Sequence, residues 1–217
     1  MSIKFDDGAD WLQKRLDGVA SGYSVPDYFN GDGICIDIGA NVGAFPLVYG
    51  NMFSKVFCYE PALYTYNECV KNVKDLKNVS VYNLAVTNES NKTVKLKSHK
   101  SGNVSGNASI LDSVEWDENN YEYVKTISLA EVIENAKIKG VKNYVKIDTE
   151  GSEYDMLRSC DISMIDFLAV EIHLQLGVRK INELFVYLSE NFRIYHEVGG
   201  GNKHHEIIYI NRKLNLA

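Results

Sequence analysis

The sequence predicts an α/β protein built on one doubly wound, seven-stranded, mostly parallel sheet. Three observations predict it. The apolar run Ile34-Cys-Ile-Asp-Ile38 breaks at Gly39, and a helical pattern begins at Ala44 just after Gly43, which reads as strand, tight turn and helix N-terminus. A second strand, Val56 to Tyr59, closes on Glu60, roughly 20 residues past the turn, where nucleotide-binding α/β folds keep an acid. Strands and helical stripes then alternate to the end of the chain, which finishes on two consecutive strands, so the pattern is α/β throughout.

Taken in order, Asp7 to Val19 is an amphipathic N-terminal helix, with Trp11, Leu12, Leu16 and Val19 at helical spacing. It belongs to an N-terminal extension over residues 1–30 and is expected to cap the sheet or to cover the pocket, with capping preferred. Gly22 to Gly33 is a loop broken by Pro26. The helix from Ala44 to Met52 carries Pro46 in its first turn, where a missing N–H does no harm. Leu63, Tyr66, Val70 and Val73 form the next helical stripe, and Val79 to Val86 is the third strand.

An insertion over about residues 90–127 then departs from the alternating plan. Thr93 to Lys97 and Tyr121 to Ile127 alternate like strands around a loop from Ser98 to Ser109 rich in Ser, Gly and Asn. It is expected to form an extra hairpin on the substrate side, since binding segments are commonly carried on such loops. Ser128-Leu-Ala-Glu131 has capping-box spacing and opens a helix through Ala136. Tyr144 to Asp148 is the fourth strand, with a short helix to Arg158, and Phe167 to His173 is the fifth. A helix marked by Val178, Ile181, Leu184, Phe185 and Leu188 leads to strands at Phe192–Glu197 and Ile207–Asn211, joined through Gly199 to His205. The chain reads as a single domain over residues 1–217.

With 23 basic and 29 acidic residues, the chain has a formal charge of −6, which disfavours a phosphate-rich partner, so no nucleic acid is expected. Cys35, Cys58, Cys69 and Cys160 show no Cys-x-x-Cys spacing, which argues against zinc or a disulfide framework and suits a reducing, cytoplasmic setting. The first residues do not look like a signal peptide, and no apolar run approaches the ~20 residues of a membrane span.

The glycine turn has two competing ligands. A dinucleotide needs Gly-x-Gly-x-x-Gly so that its diphosphate can reach the helix N-terminus. Here Asn41 stands where the middle glycine would be, and Asp37 adds a negative charge. That suits a cationic ligand such as S-adenosylmethionine. In open sheets the ligand lies beyond the carboxyl ends of the strands. This rule selects Asp148 and Glu150 after the fourth strand and Glu171 and His173 at the end of the fifth. Glu171 and His173 share a face by strand alternation, as do Lys146 and Asp148.

Asp37-Ile-Gly-Ala-Asn-Val-Gly43, Tyr59-Glu-Pro61, Leu84-Ala-Val86, Lys146-Ile-Asp-Thr-Glu-Gly-Ser-Glu153 and the late Glu171 resemble the FkbM family of S-adenosylmethionine-dependent methyltransferases, with a Rossmann-like class I methyltransferase fold. The resemblance implies O-methylation of a sugar or glycan hydroxyl, with a deoxyhexose such as rhamnose or fucose as one candidate acceptor. It assigns Asp37, Gly39, Ala40, Asn41 and Gly43 to the cofactor's methionine end, Glu60 to its ribose, and Pro61 and Ala85 to its adenine. A hydroxyl needs a base within hydrogen-bond reach. Asp148, Glu171, His173 and Glu150 are the candidates, either as that base or as ligands of a divalent cation such as Mg or Mn. The rival readings are a nicotinamide-dependent dehydrogenase, an RNA 2′-O-methyltransferase and a non-catalytic glycan-binding module.

Overall fold

The computed structural model describes residues 11–99, 108–112, 116–198 and 204–214. The start of the N-terminal helix at Asp7, most of the Ser98–Ser109 loop and the glycine run at 199–201 lie outside the described residues, as do the side chains of His204 and His205.

Helix α1 (Trp11–Gly22) is followed by β1 (Ile34–Ile38), α2 (Ala44–Tyr49), β2 (Lys55–Tyr59), α3 (Leu63–Asn72) and β3 (Val79–Tyr82). After the insertion come α4 (Leu129–Ala136), β8 (Asn143–Ile147), α5 (Glu153–Arg158), β9 (Phe167–His173), α6 (Gly177–Asn191), β10 (Phe192–Val198) and β11 (His204–Asn211). The insertion itself holds β4 (Ala85–Thr87), β5 (Thr93–His99), β6 (Ala108–Ser109) and β7 (Trp116–Ser128).

The main sheet has seven strands in the order β10-β11-β9-β8-β1-β2-β3. Strands β9, β8, β1, β2 and β3 are parallel. Strand β11 runs antiparallel to both β9 and β10. Strand alternation sorts the side chains into two cores. Ile34, Ile36 and Ile38 pack with Val132, Leu157 and Leu184 from α4 to α6, while Cys35 packs with Phe45, Cys69 and Val73 on the side of α2 and α3. Helices on both faces make the sheet doubly wound. The chain leaves β1 outward to β2 and β3, then returns to β8 on the other side of β1. The ligand crevice of such a sheet opens between those two strands at their carboxyl ends.

Two expectations are corrected here. The stretch Val79–Val86 is not one strand: β3 ends at Tyr82 in the main sheet and β4 starts a second sheet. Asn83 diverts the chain between them, its Nδ2 donating to the carbonyls of Glu60 at 3.0 Å and Pro61 at 2.7 Å. The insertion is also more than a hairpin, because β4, β7, β5 and β6 form a four-stranded sheet in that order. This sheet docks on α3 through Glu122, which accepts the Leu63 N–H at 3.0 Å, a favourable place for an acid beside a helix N-terminus. A smaller difference lies in α2, which tightens into a 3-10 turn at Gly50–Met52.

At α4 the cap is shared between two segments. Ser128 Oγ accepts the Glu131 N–H at 3.2 Å. The return bond expected from Glu131 is replaced by Ser90, whose Oγ accepts the Ser128 N–H at 2.8 Å and donates to Glu131 Oε2 at 2.5 Å.

Candidate active site

A cavity of about 500 Å³ opens at the carboxyl ends of β1 and β8. Its floor begins at Gly39, where φ is +77° and a Cβ would lie 1.8 Å from the Asp148 carbonyl oxygen. Only glycine allows β1 and β8 to meet this closely. The Asp148 N–H donates to Ile38 O at 3.0 Å, and the Gly39 N–H to Tyr59 O at 2.9 Å. Three strand ends are thereby tied under the turn. Asn41 also has positive φ, at +52°.

Glu60 lies just past β2 and lines the cavity. Its Oε2 accepts the Asn41 N–H at 2.8 Å, while Oε1 accepts the Ala62 N–H at 2.9 Å and the Thr65 hydroxyl at 2.8 Å. A carboxylate offers about four acceptor positions, so three protein donors leave room for one more on Oε2. Burial pushes the Glu60 carboxyl up to about 7, against the opposing pull of Thr65, Ala62 and Asn41.

Gly39, Asn41, Glu60, Pro61 and Ala85 line the cavity together. Asp37, Ala40 and Gly43 do not join that lining. Asp37 is fully buried, and its Oδ1 is 3.0 Å from Lys146 Nζ. Lys146 also donates to Gly39 O at 3.1 Å and stands 3.8 Å from Asp148 Oδ2. Burial weighs against its charge, but the carboxylates of Asp37 and Asp148 outweigh it and keep the ammonium above the usual lysine range. The acid expected at the mouth is thus sealed beneath it, since β1 and β8 place Asp37 and Lys146 side by side. Gly43 serves packing, because a Cβ there would reach Val73 Cγ1 at 2.8 Å.

All four acid–base candidates, Asp148, Glu150, Glu171 and His173, line the cavity. His173 Nδ1 lies 2.5 Å from Glu153 Oε1, and its Nε2 is 3.4 Å from Glu150 and 3.5 Å from Glu171. Burial works against a charge on this ring. The hydrogen bond and charge of Glu153, helped by Glu150 and Asp148, win and push it up to about 10. His173 is therefore an imidazolium at neutral pH. Burial tends to raise Asp148, yet Lys146, His173, Arg15 and a hydrogen bond from Glu171 hold it below the usual carboxylate range. Burial pushes Glu150 up to about 7. Its φ of +52° is strained backbone, a feature that clusters at functional sites. The Glu150 carbonyl is held by Ser109 Oγ at 2.8 Å and Gln175 Nε2 at 2.7 Å.

These shifts set a pH dependence of stability. Glu60 and Glu150 bind protons more tightly folded than at the ordinary glutamate value of 4.5, so stability falls as pH rises from there to about 7. His173 is raised from its ordinary 6.5, so its contribution is complete below that pH and is lost as pH rises through about 10. Melting followed by circular dichroism should give a lower Tm at pH 9 than at pH 6. The difference should shrink in His173→Gln.

Sequence reasoning missed four contributors. Arg15 of α1 lines the cavity, so this helix covers the site, the less favoured of the two roles expected of it. Helical periodicity reports burial, and nothing in it aims Arg15 at the carboxylates. Glu153, fully buried at the start of α5, stood within the Lys146–Glu153 motif, and its acid three residues after Glu150 was the available signal. Trp116 and His99 come from the insertion, which was expected on the substrate side without either residue being singled out.

The profile of the methyltransferase FkbM domain matches residues 37–210. None of the curated proteins compared with the chain matches it. Among solved structures, methyltransferase FkbM from Methylobacillus flagellatus KT aligns with TM-score 0.52 and 15% identity, covering 88% of this chain and 45% of that one. The chain thus spans less than half the length of that relative. M. capricolum TrmK, solved with S-adenosyl-homocysteine, aligns at 0.51 and 15% identity over 91% of this chain and 67% of that one. The fibrillarin/Nop5p complex gives 0.54 and 10% identity, covering 96% and 87%. At these identities the likeness to solved structures shows the fold alone, a Rossmann-like class I methyltransferase fold.

Proposed function

The chain belongs to the FkbM methyltransferase family, and from that premise we propose that it transfers a methyl group from S-adenosylmethionine to a hydroxyl oxygen of a sugar or glycan. When bound, that cofactor supplies a methyl carbon on a positively charged sulfur, open to displacement by an oxygen. The observation that carries the reading is one cavity joining the Gly39–Glu60 cradle to the carboxyl groups of Asp148, Glu150 and Glu171.

The residues present suit such a cofactor. The turn at Gly39 leaves its backbone open, Glu60 Oε2 keeps an acceptor position for a ribose hydroxyl, and Pro61 and Ala85 flank the place for an adenine. Asp148 receives the proton of the acceptor hydroxyl, and Glu171 holds it in place. His173, charged and anchored by Glu153, keeps four neighbouring acids from repelling one another apart. Arg15 and the sealed Asp37–Lys146 pair complete the balance. Most of the rate gain in such a site comes from holding the reactants in line.

Glu60→Gln keeps the size of the side chain and removes one acceptor. Calorimetry should show S-adenosylhomocysteine binding about 10–100-fold more weakly, the range of one hydrogen bond to a charged group. Unchanged affinity would remove Glu60 from the cofactor site. Wild-type protein should bind that ligand and not NAD; the reverse would select the dehydrogenase.

Asp148, Glu171 and His173 also offer three ligand atoms within 4.8 Å of one another, a carboxylate–imidazole set that suits a divalent cation. An imidazolium has no lone pair to give, so a cation there would first have to displace the His173 proton. The base reading therefore expects activity to survive chelation. Loss of activity with EDTA, restored by Mg or Mn, would select the cation. No helix among the described residues is long and apolar enough to cross a membrane. The acidic mouth and the net charge of −6 support a sugar acceptor over RNA.

A further inference from the structure

S-adenosylmethionine would bring one negative group into an acidic cavity. Its methionine end carries an α-carboxylate beside the α-ammonium, and Asp148, Glu150 and Glu171 line the same space. Those acids favour the ammonium and the sulfonium and repel the carboxylate. A glycine turn ahead of a helix commonly meets an anion with backbone N–H groups, but here they are already engaged. The Gly39 and Ala40 N–H groups both donate to Tyr59 O, at 2.9 and 3.1 Å, and the Gly43 N–H donates to Ala40 O at 2.9 Å. The Asn41 N–H donates to Glu60 Oε2 at 2.8 Å, and the Val42 N–H to Asn41 Oδ1 at 2.9 Å. Every N–H from Gly39 to Gly43 thus has a partner inside the protein, so the carboxylate needs a cation.

Two cations near the turn are committed to other acids. The Lys146 side chain is 4% exposed and is held by Asp37 at 3.0 Å and by Gly39 O at 3.1 Å. The ring nitrogens of His173 face Glu153 on one side and Glu150 and Glu171 on the other. Arg15 is placed differently. Its helix, α1, packs against α2, which starts directly after Gly43. Just past α1, the Tyr23 ring stands edge-on to Phe45 at 5.6 Å, and Tyr23 O accepts the Tyr49 hydroxyl at 2.6 Å, which fixes the end of α1 on α2. Arg15 lines the cavity and its charge acts on Asp148 and Glu150. Asp148 is also the residue whose carbonyl meets the Gly39 turn, so the guanidinium stands on the Gly39 side of the cavity. A guanidinium fork matches a carboxylate with two parallel hydrogen bonds.

We propose that Arg15 binds the α-carboxylate of S-adenosylmethionine, so that α1 holds the methionine end of the ligand in the cavity. This rests on the methyl-transfer reading, which puts that end at Gly39 to Gly43. The ligand's ammonium then faces the acids that Arg15 otherwise balances.

The test is a pair of calorimetric titrations, with S-adenosylhomocysteine and with decarboxylated S-adenosylhomocysteine, which keeps the nucleoside, the thioether and the ammonium. Wild-type protein should bind the first more tightly. Arg15→Gln should weaken S-adenosylhomocysteine about 10–100-fold, the range of a hydrogen-bonded charged pair, and leave the decarboxylated ligand unchanged or tighter. Arg15→Lys keeps the charge without the fork and should fall between; if Arg15→Gln fails to fold, Arg15→Lys decides. Equal losses for both ligands would mark a structural role and overturn the proposal, as would unchanged S-adenosylhomocysteine affinity in Arg15→Gln. The rival cations are His99 and, outside the described residues, Lys4 and Lys100. A carboxylate-dependent loss in His99→Ala, Lys4→Ala or Lys100→Ala in place of Arg15→Gln also overturns it. Failure of the wild type to bind S-adenosylhomocysteine overturns the methyl-transfer reading, whereas binding that ignores Arg15 overturns this proposal alone.

Discussion

Asp148→Asn is expected to cut turnover roughly 10²–10⁴-fold, the range for loss of a positioned general base, while S-adenosylhomocysteine affinity stays close to wild type. The substitution keeps the shape of the side chain and the backbone N–H bond to Ile38 O, so the strand ends stay joined. It removes the ionised carboxylate that lines the cavity. Lys146 retains Asp37 at 3.0 Å, so no buried cation is left alone. A pH profile of kcat at saturating cofactor separates Asp148 from its neighbour. Asp148 is held below the usual carboxylate range, so as base it predicts a flat profile from pH 6 to 8. A rise through about 7 would follow Glu150 and move the role to it.

Gly39→Ala should have the largest effect on folding, a loss of about 2–5 kcal/mol. A non-glycine residue at positive φ costs about 1–2 kcal/mol, and forcing an atom into packed space adds 1–3. The obstacle is backbone: the new Cβ would sit 1.8 Å from Asp148 O, and that carbonyl cannot swing aside as a side chain can. Relief would require β1 and β8 to separate at the crevice, so cofactor affinity should fall along with stability. Urea unfolding and calorimetry on the same sample check both. Gly140→Ala is a control, since φ there is +76° but no atom lies within 4 Å, and it should lose only the smaller, conformational part.

Much of this was legible because the three central parallel strands, β1, β8 and β9, are buried. Ile34–Ile38 and Phe167–His173 are buried along their whole length, and such runs announce themselves in sequence. Asp148, Glu150, Glu171 and His173 followed from the rule that ligands sit at carboxyl ends, and all four line the cavity. The second sheet was harder to read. Strand β7 runs over Trp116–Ser128, but its first residues are acids and asparagines, so alternation shows only from Tyr121. The break at Asn83 depends on carbonyls of Glu60 and Pro61, contacts that local propensity does not encode. Asp37 was placed at the mouth because its partner could not be known; pairing with Lys146 follows from the register of β1 against β8, which sequence leaves open.

The most direct measurement is to supply the protein with S-adenosylmethionine carrying a ¹³C-labelled methyl group, together with saccharides and total RNA in one reaction, and to locate the label by NMR. The expected result is a methyl ether on a saccharide carbon, absent with Asp148→Asn. Label on RNA, label on nitrogen, or a cofactor left unconsumed would contradict it.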